Sequence, residues 1–485
     1  MDSTTADYIV VGGGLTGCVI ASRLAQAASS PSVTLIEAGP DPTGEAGTDT
    51  ILAGLSLMGG KLDYSYQSEP AAQTAARHVE FFGGWLAADA KDYDAWGGKV
   101  GDERWGYKGL NPWLEKAEKL FNVSAVSDDP ERKYPLRSAV EDAWKGLGVG
   151  RSSANGSMTG LSEMKENLRA DGVRQPSYQA YPLEGVNVLT NTAVERVTFT
   201  ANKADGVQLH GGRTIRANKE VILCAGAYRT PHLLMLSGIG PQAVLSANNI
   251  PVIHSSEENL ALGSSGWTNP SLFKGLPIDW AVSERVPQEV LNKHKDSDSE
   301  FEGRNLWEVL TVYVPPGIPG IPFDGSHIAT STMLLLPTSR GTVSLSSPSP
   351  KDPPIIQPNY LSTSFDRHVL GYAARRTLEM VLESESMGRY VESETPPSGP
   401  GLDGLVPLVP DVSDEILQER IERSGLQHHH SGGTAAMGTV VDAEGKVIGV
   451  SGLRVADASV LPLPLGGHPQ ATLYAMAEQL ASFIL

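Results

Sequence analysis

Cysteine is almost missing from this chain: 485 residues carry two, Cys18 and Cys224. Two cysteines cannot build a disulfide framework or a zinc cluster. Positive charge is also scarce, with 38 Lys and Arg against 56 Asp and Glu and a net charge of −18. That balance argues against a nucleic-acid groove or an anionic membrane surface as partner. No stretch approaches the roughly 18 uninterrupted apolar residues of a membrane span, so none is expected. The opening Met1-Asp2-Ser3-Thr4-Thr5-Ala6-Asp7 lacks the basic and apolar stretches of a signal peptide before a strand begins at Tyr8. The expectation is a soluble, cytoplasmic protein.

Glycine is plentiful, at 52 residues, and proline numbers 33. Both imply many turns and close backbone approaches. The length exceeds one simple core, so two domains or one domain with a large insertion are expected.

The first 40 residues spell a βαβ unit. Tyr8-Ile9-Val10-Val11 is an apolar, β-branched run suited to a buried parallel strand. Gly12-Gly13-Gly14-Leu15-Thr16-Gly17 follows, and Val19, Ile20, Leu24 and Ala25 recur at helical spacing. Val33-Thr34-Leu35-Ile36 is a second strand that ends at Glu37. Gly12, Gly14 and Gly17 fit G-x-G-x-x-G, where backbone N–H groups approach a pyrophosphate at a helix N-terminus. Alone the pattern is weak. Here it has a strand before it, a helix after it and an acid about 20 residues on, placed to accept from ribose hydroxyls. An acid there argues against a 2′-phosphate. NAD and FAD both remain open at this point.

A second strand–turn–helix unit begins at Glu220-Val221-Ile222-Leu223-Cys224-Ala225-Gly226. Val186 to Phe199 reads as strands, Leu453-Arg454-Val455 as another, and Ala471 to Ile484 as a closing helix. Nucleotide-binding signals at both ends suggest one domain assembled from distant segments. In between, Gly341 to Leu345 alternates like a half-buried strand, and Phe365 to Leu382 has an amphipathic helical pattern.

Gly226-Ala227-Tyr228-Arg229-Thr230-Pro231-His232-Leu233-Leu234-Met235-Leu236-Ser237-Gly238-Ile239-Gly240 resembles, along its whole length, a signature of the glucose–methanol–choline (GMC) oxidoreductases. Thr230 suits a helix cap with Pro231 in the first turn, and Ser-Gly-Ile-Gly suits the helix end. The likeness covers most of the chain. Asp63-Tyr64-Ser65-Tyr66 with Glu69-Pro70, Asp92-Tyr93-Asp94-Ala95-Trp96, Ser339-Arg340-Gly341-Thr342-Val343 and Gly452-Leu453-Arg454-Val455 with Asp457-Ala458-Ser459 also match it. His430-Ser431-Gly432-Gly433-Thr434 with Met437-Gly438 is similar to the family's His-x-x-Gly-Thr-x-x-Met-Gly, and Gly467-His468-Pro469 follows 38 residues after His430.

This resemblance implies an α/β fold: a Rossmann-like FAD-binding domain from discontinuous segments, plus an α+β substrate domain with an antiparallel sheet. The expected boundaries are 1–260 with 425–485 for the first, including a flavin-proximal region at 61–160, and 261–424 for the second. The implied cofactor is FAD. Its contacts are expected at Gly12, Gly14, Leu15, Thr16, Gly17, Glu37, Ala38, Gly84, Val194, Asp457, Ala458, Pro469 and Gln470. The implied reaction is oxidation of a small alcohol to a carbonyl by hydride transfer to flavin N5. His430 would be the base and His468 the group that orients the hydroxyl, with exchange of the two roles left open. A histidine suits proton removal near neutral pH because its ordinary pKa is about 6.5. His428 and His429 hold no motif position and are expected to be neighbours without a metal.

The chain departs from the family in two places. Gly83-Gly84 passes directly to Trp85-Leu86-Ala87-Ala88-Asp89, where members usually carry a longer loop against the flavin. An alternative reading follows: a member with non-redox, cyclase-like chemistry, or with lost activity. The Ser264-Ser265-Gly266-Trp267 region departs as well.

Overall fold

The computed structural model describes residues 5–45, 47–48, 57, 60–66, 68, 84–153, 156–169, 171–241, 244–245, 274–291, 301–314, 318–322 and 325–485. Glu69-Pro70, Gly83, the segment 264–267 and the expected start of the substrate domain, 261–273, lie outside the described residues.

The chain begins with β1 (Thr5–Val11), α1 (Leu15–Ala25) and β2 (Val33–Ile36). Every residue of β2 and all of α1 from Thr16 to Ser22 are buried, as the apolar runs require. Next come α2 (Ala90–Val100), α3 (Tyr107–Leu120), β3 (Gly160–Glu163) and β4 (Lys165–Glu166). Asp89 starts α2 through a capping box with Asp92, and Gly101 ends it at a φ of 69°. Then follow β5 (Val186–Leu189), β6 (Val194–Thr200), β7 (Lys203–Leu209), β8 (Thr214–Leu223) and α4 (Gly226–Leu236). The far half contributes β9 (Trp280–Glu284), β10 (Trp307–Val312), β11 (Ala329–Leu334), α5 (Ser364–Leu378), β12 (Leu453–Val455) and α6 (Pro469–Ile484).

The main sheet runs β5-β2-β1-β8-β7-β6, with β12 beside β8. β1 lies parallel to both β2 and β8, with Val10 opposite Leu35 on one side and Ile222 on the other. β12 pairs parallel to the end of β8, Val455 opposite Leu223, so strands more than 200 residues apart in sequence share one edge. β8, β7 and β6 form an antiparallel extension. One core beneath this sheet unites Ala6, Ile222, Val455 and Ala481. A second, antiparallel sheet has the order β11-β10-β9-β3 and its own core around Trp144, Trp280, Trp307 and Phe365. The expected α/β class, with a nucleotide-type parallel sheet and a separate antiparallel sheet, is met.

One local expectation is corrected. Thr230 does not cap α4, which begins four residues earlier at Gly226, where φ is +81°. Pro231 therefore sits inside the helix and cannot donate to the Ala227 carbonyl. That carbonyl instead accepts from the Thr434 hydroxyl. The proline is tolerated because a distant side chain supplies the missing donor. Ser237-Gly238-Ile239 does end the helix, with Gly238 at φ +85° and Ile239 N–H donating to the Leu234 carbonyl.

Among the described residues no helix is long and apolar enough to cross a membrane.

Candidate active site

The glycine turn opens onto a cavity of about 300 Å³ at the carboxyl ends of β1, β2 and β8. The three motif glycines serve different ends. A Cβ on Gly12, whose φ is +105°, would lie 2.3 Å from the Cys224 carbonyl oxygen. A Cβ on Gly17 would lie 1.9 Å from the Gly12 carbonyl oxygen, so the chain's own backbone forbids it. A Cβ on Gly14 would meet nothing within 4 Å. Packing therefore explains two of the glycines, while Gly14 clears space on the cavity side. Gly14 is also the N-cap of α1 and provides no side-chain cap, so the first N–H groups of that helix face the cavity wall.

Glu37 lines the same cavity. Its Oε2 accepts from Gly13 N–H at 2.7 Å and its Oε1 from Gly39 N–H at 2.6 Å. The carboxylate braces the glycine turn and keeps further lone pairs for a diol. Leu15, Thr16, Ala38, Val194 and Ala458 also line the cavity. Gly17 packs behind it. Asp457 lines it too, but its carboxylate is committed: Oδ2 accepts from Gly226 N–H (2.9 Å) and the Thr230 hydroxyl (2.6 Å), and Oδ1 from Ser459 N–H and its hydroxyl. Burial pushes its carboxyl above the ordinary range. An open glycine turn, a helix N-terminus and a ribose-type acid fit the adenosine and pyrophosphate of FAD.

The histidine motifs meet beside this cavity. Gly433 N–H donates to the Ala458 carbonyl, and Ala435 N–H to that of Ser459, which lays the His430 segment along the cavity wall. The Tyr228 and Ser431 hydroxyls are 2.5 Å apart, a second tie between α4 and that segment. The ring centroids of His430 and His468 are 5.1 Å apart. His468 N-caps α6, so Pro469 and Gln470 form the first turn of that helix and stand next to the pair, outside the nucleotide cavity.

His468 is held from three sides. Its N–H donates to the Leu86 carbonyl, and its Nε2 lies 2.7 Å from Glu308 Oε1, both side chains being buried. A carboxylate can only accept, so Nε2 carries a hydrogen and Nδ1 keeps its lone pair in the neutral ring. Nδ1 faces Gly84, whose absent Cβ would stand 3.6 Å away. The Ser283 hydroxyl on β9 fixes the other oxygen of Glu308 at 3.0 Å. Gly467 is required because a Cβ there would lie 2.6 Å from the Ala87 carbonyl oxygen. The short path from Gly84 to Asp89 therefore runs directly under the His468 turn. Trp85 in this path is buried and stacks on Tyr474 of α6 at 5.5 Å.

His430 lies deep among protein atoms, yet its ring is exposed, which is the combination of a cavity wall. Burial, followed by the neighbouring His468 and His428, holds its pKa well below the usual 6.5. The ring is therefore neutral at pH 7.

His428 is the neighbour of the pair that the sequence suggested: its ring centroid lies 5.3 Å from that of His430. His428 is also 6.2 Å from His468, and its Nε2 is 3.3 Å from the Ser331 hydroxyl on β11. Burial pushes it down to about 4. It belongs to the cluster. Among the described residues no group of three ligating side chains is placed to hold a metal. Glu308 was missed, although a lone acid in the buried strand Trp307–Val312 was its signal.

Sequence models described as GMC oxidoreductase match residues 6–254 and 337–477. The GMC-type oxidoreductase acuG of Aspergillus aculeatus is 36% identical over 532 residues, covering 100% of this chain and 99% of that protein. Choline oxidase of Arthrobacter globiformis is 29% identical over 547 residues, covering 99% of this chain and 94% of that one. Both alignments exceed the chain's 485 residues, so both relatives carry segments that it lacks. The crystal structure of a formate oxidase superposes with a TM-score of 0.82 at 23% identity, over 100% of this chain and 98% of that one.

Proposed function

Because this chain belongs to the GMC oxidoreductase family, whose cofactor here is FAD, we propose that it oxidises a small alcohol to a carbonyl compound. The bound flavin supplies the hydride acceptor. The chain's own residues handle the proton and the geometry. His430, neutral and accessible, accepts the hydroxyl proton as the C–H bond breaks. His468 offers a second nitrogen beside the same hydroxyl, and Glu308 stabilises any positive charge that this ring acquires. Gly12, Gly14, Leu15 and Thr16 hold the pyrophosphate by backbone N–H groups, and Glu37 the ribose. We assign the cofactor domain to 1–260 with 425–485 and the substrate domain to 261–424, with β3 and Trp144 of the first segment joining the sheet and core of the second.

The observation that carries this reading is the pairing of one free imidazole with one carboxylate-bound imidazole, 5.1 Å apart. The test is the absorbance spectrum of the purified protein. A bound flavin that loses its visible band on adding an alcohol is expected. A second reading, non-redox cyclase-like or lost activity, draws on the direct path from Gly84 to Asp89 under His468. It requires a bound flavin that no alcohol reduces.

A further inference from the structure

Arg229 has no role in the chemistry above. It sits in the first turn of α4 and lines the nucleotide cavity. Its hydrogen-bond partners are neutral: Nη1 lies 3.1 Å from His232 Nδ1, Nη2 donates to the Pro350 carbonyl at 2.8 Å, and the Tyr66 hydroxyl stands within its reach. Burial and the adjacent guanidinium push His232 down to about 4, so that ring is neutral at pH 7. Among the described residues Arg229 forms no ion pair. A cation is thus fixed at the wall of a ligand cavity with no carboxylate paired to it among the described residues.

The cavity's two ends differ. Gly12, Gly14 and the start of α1 make the anion end. The rest of the wall holds Val194, Leu233 one helical turn beyond Arg229, and the Tyr64 ring. Those three side chains are apolar or aromatic, with a guanidinium in the same lining. Each terminal nitrogen already meets one protein acceptor, which fixes the plane of the guanidinium and leaves its face for a planar ligand. A planar base needs only the guanidinium face, and Arg stacks well on such faces.

We propose that Arg229 is an adenine-recognition residue, stacking its guanidinium on the base of FAD in the slot lined by Tyr64, Val194 and Leu233. The inference rests on FAD being the cofactor, and the same experiment checks that separately.

The full chain is freed of flavin and retitrated with FAD, with ADP as competitor and with FMN, which has no adenine. Failure of the parent protein to rebind FAD would overturn the cofactor reading itself. Given parent binding, Arg229→Leu is expected to raise the Kd for FAD and for ADP by the same factor, about 3- to 30-fold. The Kd for FMN should stay at the parent value. Arg229→Lys keeps the charge but loses the plane, and is expected to resemble the leucine variant. Unchanged FAD and ADP affinity in Arg229→Leu overturns the proposal. So does recovery of parent affinity by lysine, or an equal loss for FMN, since either would put the guanidinium on a phosphate. The melting temperature of each flavin-free variant separates loss of fold from loss of contact, and the lysine variant carries the test if leucine destabilises the chain.

Discussion

His430 has to be basic enough to take a proton and neutral enough to be free for it. Its burial and its two histidine neighbours favour the uncharged ring. The acidic limb of flavin reduction should therefore fall below the ordinary imidazole value of about 6.5. A rapid-mixing pH series checks this. His430→Ala should slow reduction about 100-fold or more while flavin content stays at the parent level. A parent-like reduction rate in that variant would sink the proposed mechanism. His468→Asn should be milder than His468→Ala, because an amide can still hydrogen-bond the substrate hydroxyl. His428 makes a different prediction, in stability. Its ring has a folded pKa of about 4, while the unfolded chain titrates near the usual 6.5. Between these values the unfolded state binds more protons, so stability falls as pH drops through that window and is fully present above it. Melting temperatures measured from pH 7 to pH 4 should show this decline, and His428→Phe should flatten part of it.

At the scale of elements, the turn between β1 and α1 separates packing from ligand space. Gly17→Ala forces a Cβ to within 1.9 Å of a carbonyl oxygen and should cost about 1–3 kcal/mol in denaturant unfolding. Gly14→Ala meets no protein atom within 4 Å, so the flavin-free chain should melt like the parent. Its FAD affinity should nevertheless fall at least about tenfold, the scale of one lost charge-assisted hydrogen bond. Equal FAD affinity in Gly14→Ala and parent would show that the turn does not approach the pyrophosphate. The α4 region obeys similar logic. Pro231 leaves the Ala227 carbonyl without its helical donor, and Thr434, four residues after His430, takes its place.

Across the whole molecule, a buried ion pair ties the two cores to the catalytic turn. Arg304 Nε lies 2.6 Å from Asp92 Oδ1, while Arg304 also donates to the Pro464 carbonyl and Gly466 N–H donates to Asp92. Both side chains are almost fully excluded from solvent. Removing one partner leaves the other charge buried, so Arg304→Met should destabilise the chain by about 3–5 kcal/mol in denaturant titration. The flavin-bound variant should also reduce more slowly, because the turn that loses its anchor ends at His468. A parent-like unfolding midpoint would show that the pair is not structural.

Residues that act through local spacing were legible before any coordinates. The glycine turn, Glu37 at the end of β2, the α4 signature and the two histidine motifs each declare themselves within about 40 residues, because backbone geometry at a turn or a cap restricts which residue types fit. The boundary of α4 was not legible, since its Pro231 is accommodated by a hydroxyl more than 200 residues away in sequence. Glu308 on His468 spans 160 positions and Arg304 on Asp92 spans 212, and no periodicity encodes such pairs. His428 holds no motif position, so its ring contacts with His430 and His468 could not be read from spacing. The sequence by itself determined the class of fold and the family resemblance, and that resemblance implied the cofactor, while the nucleotide turn rests on short-range steric rules. Only the tertiary structure decided which polar side chains share a buried space. Burial is a property of chain segments brought together, and it is in a buried space that Glu308 meets His468.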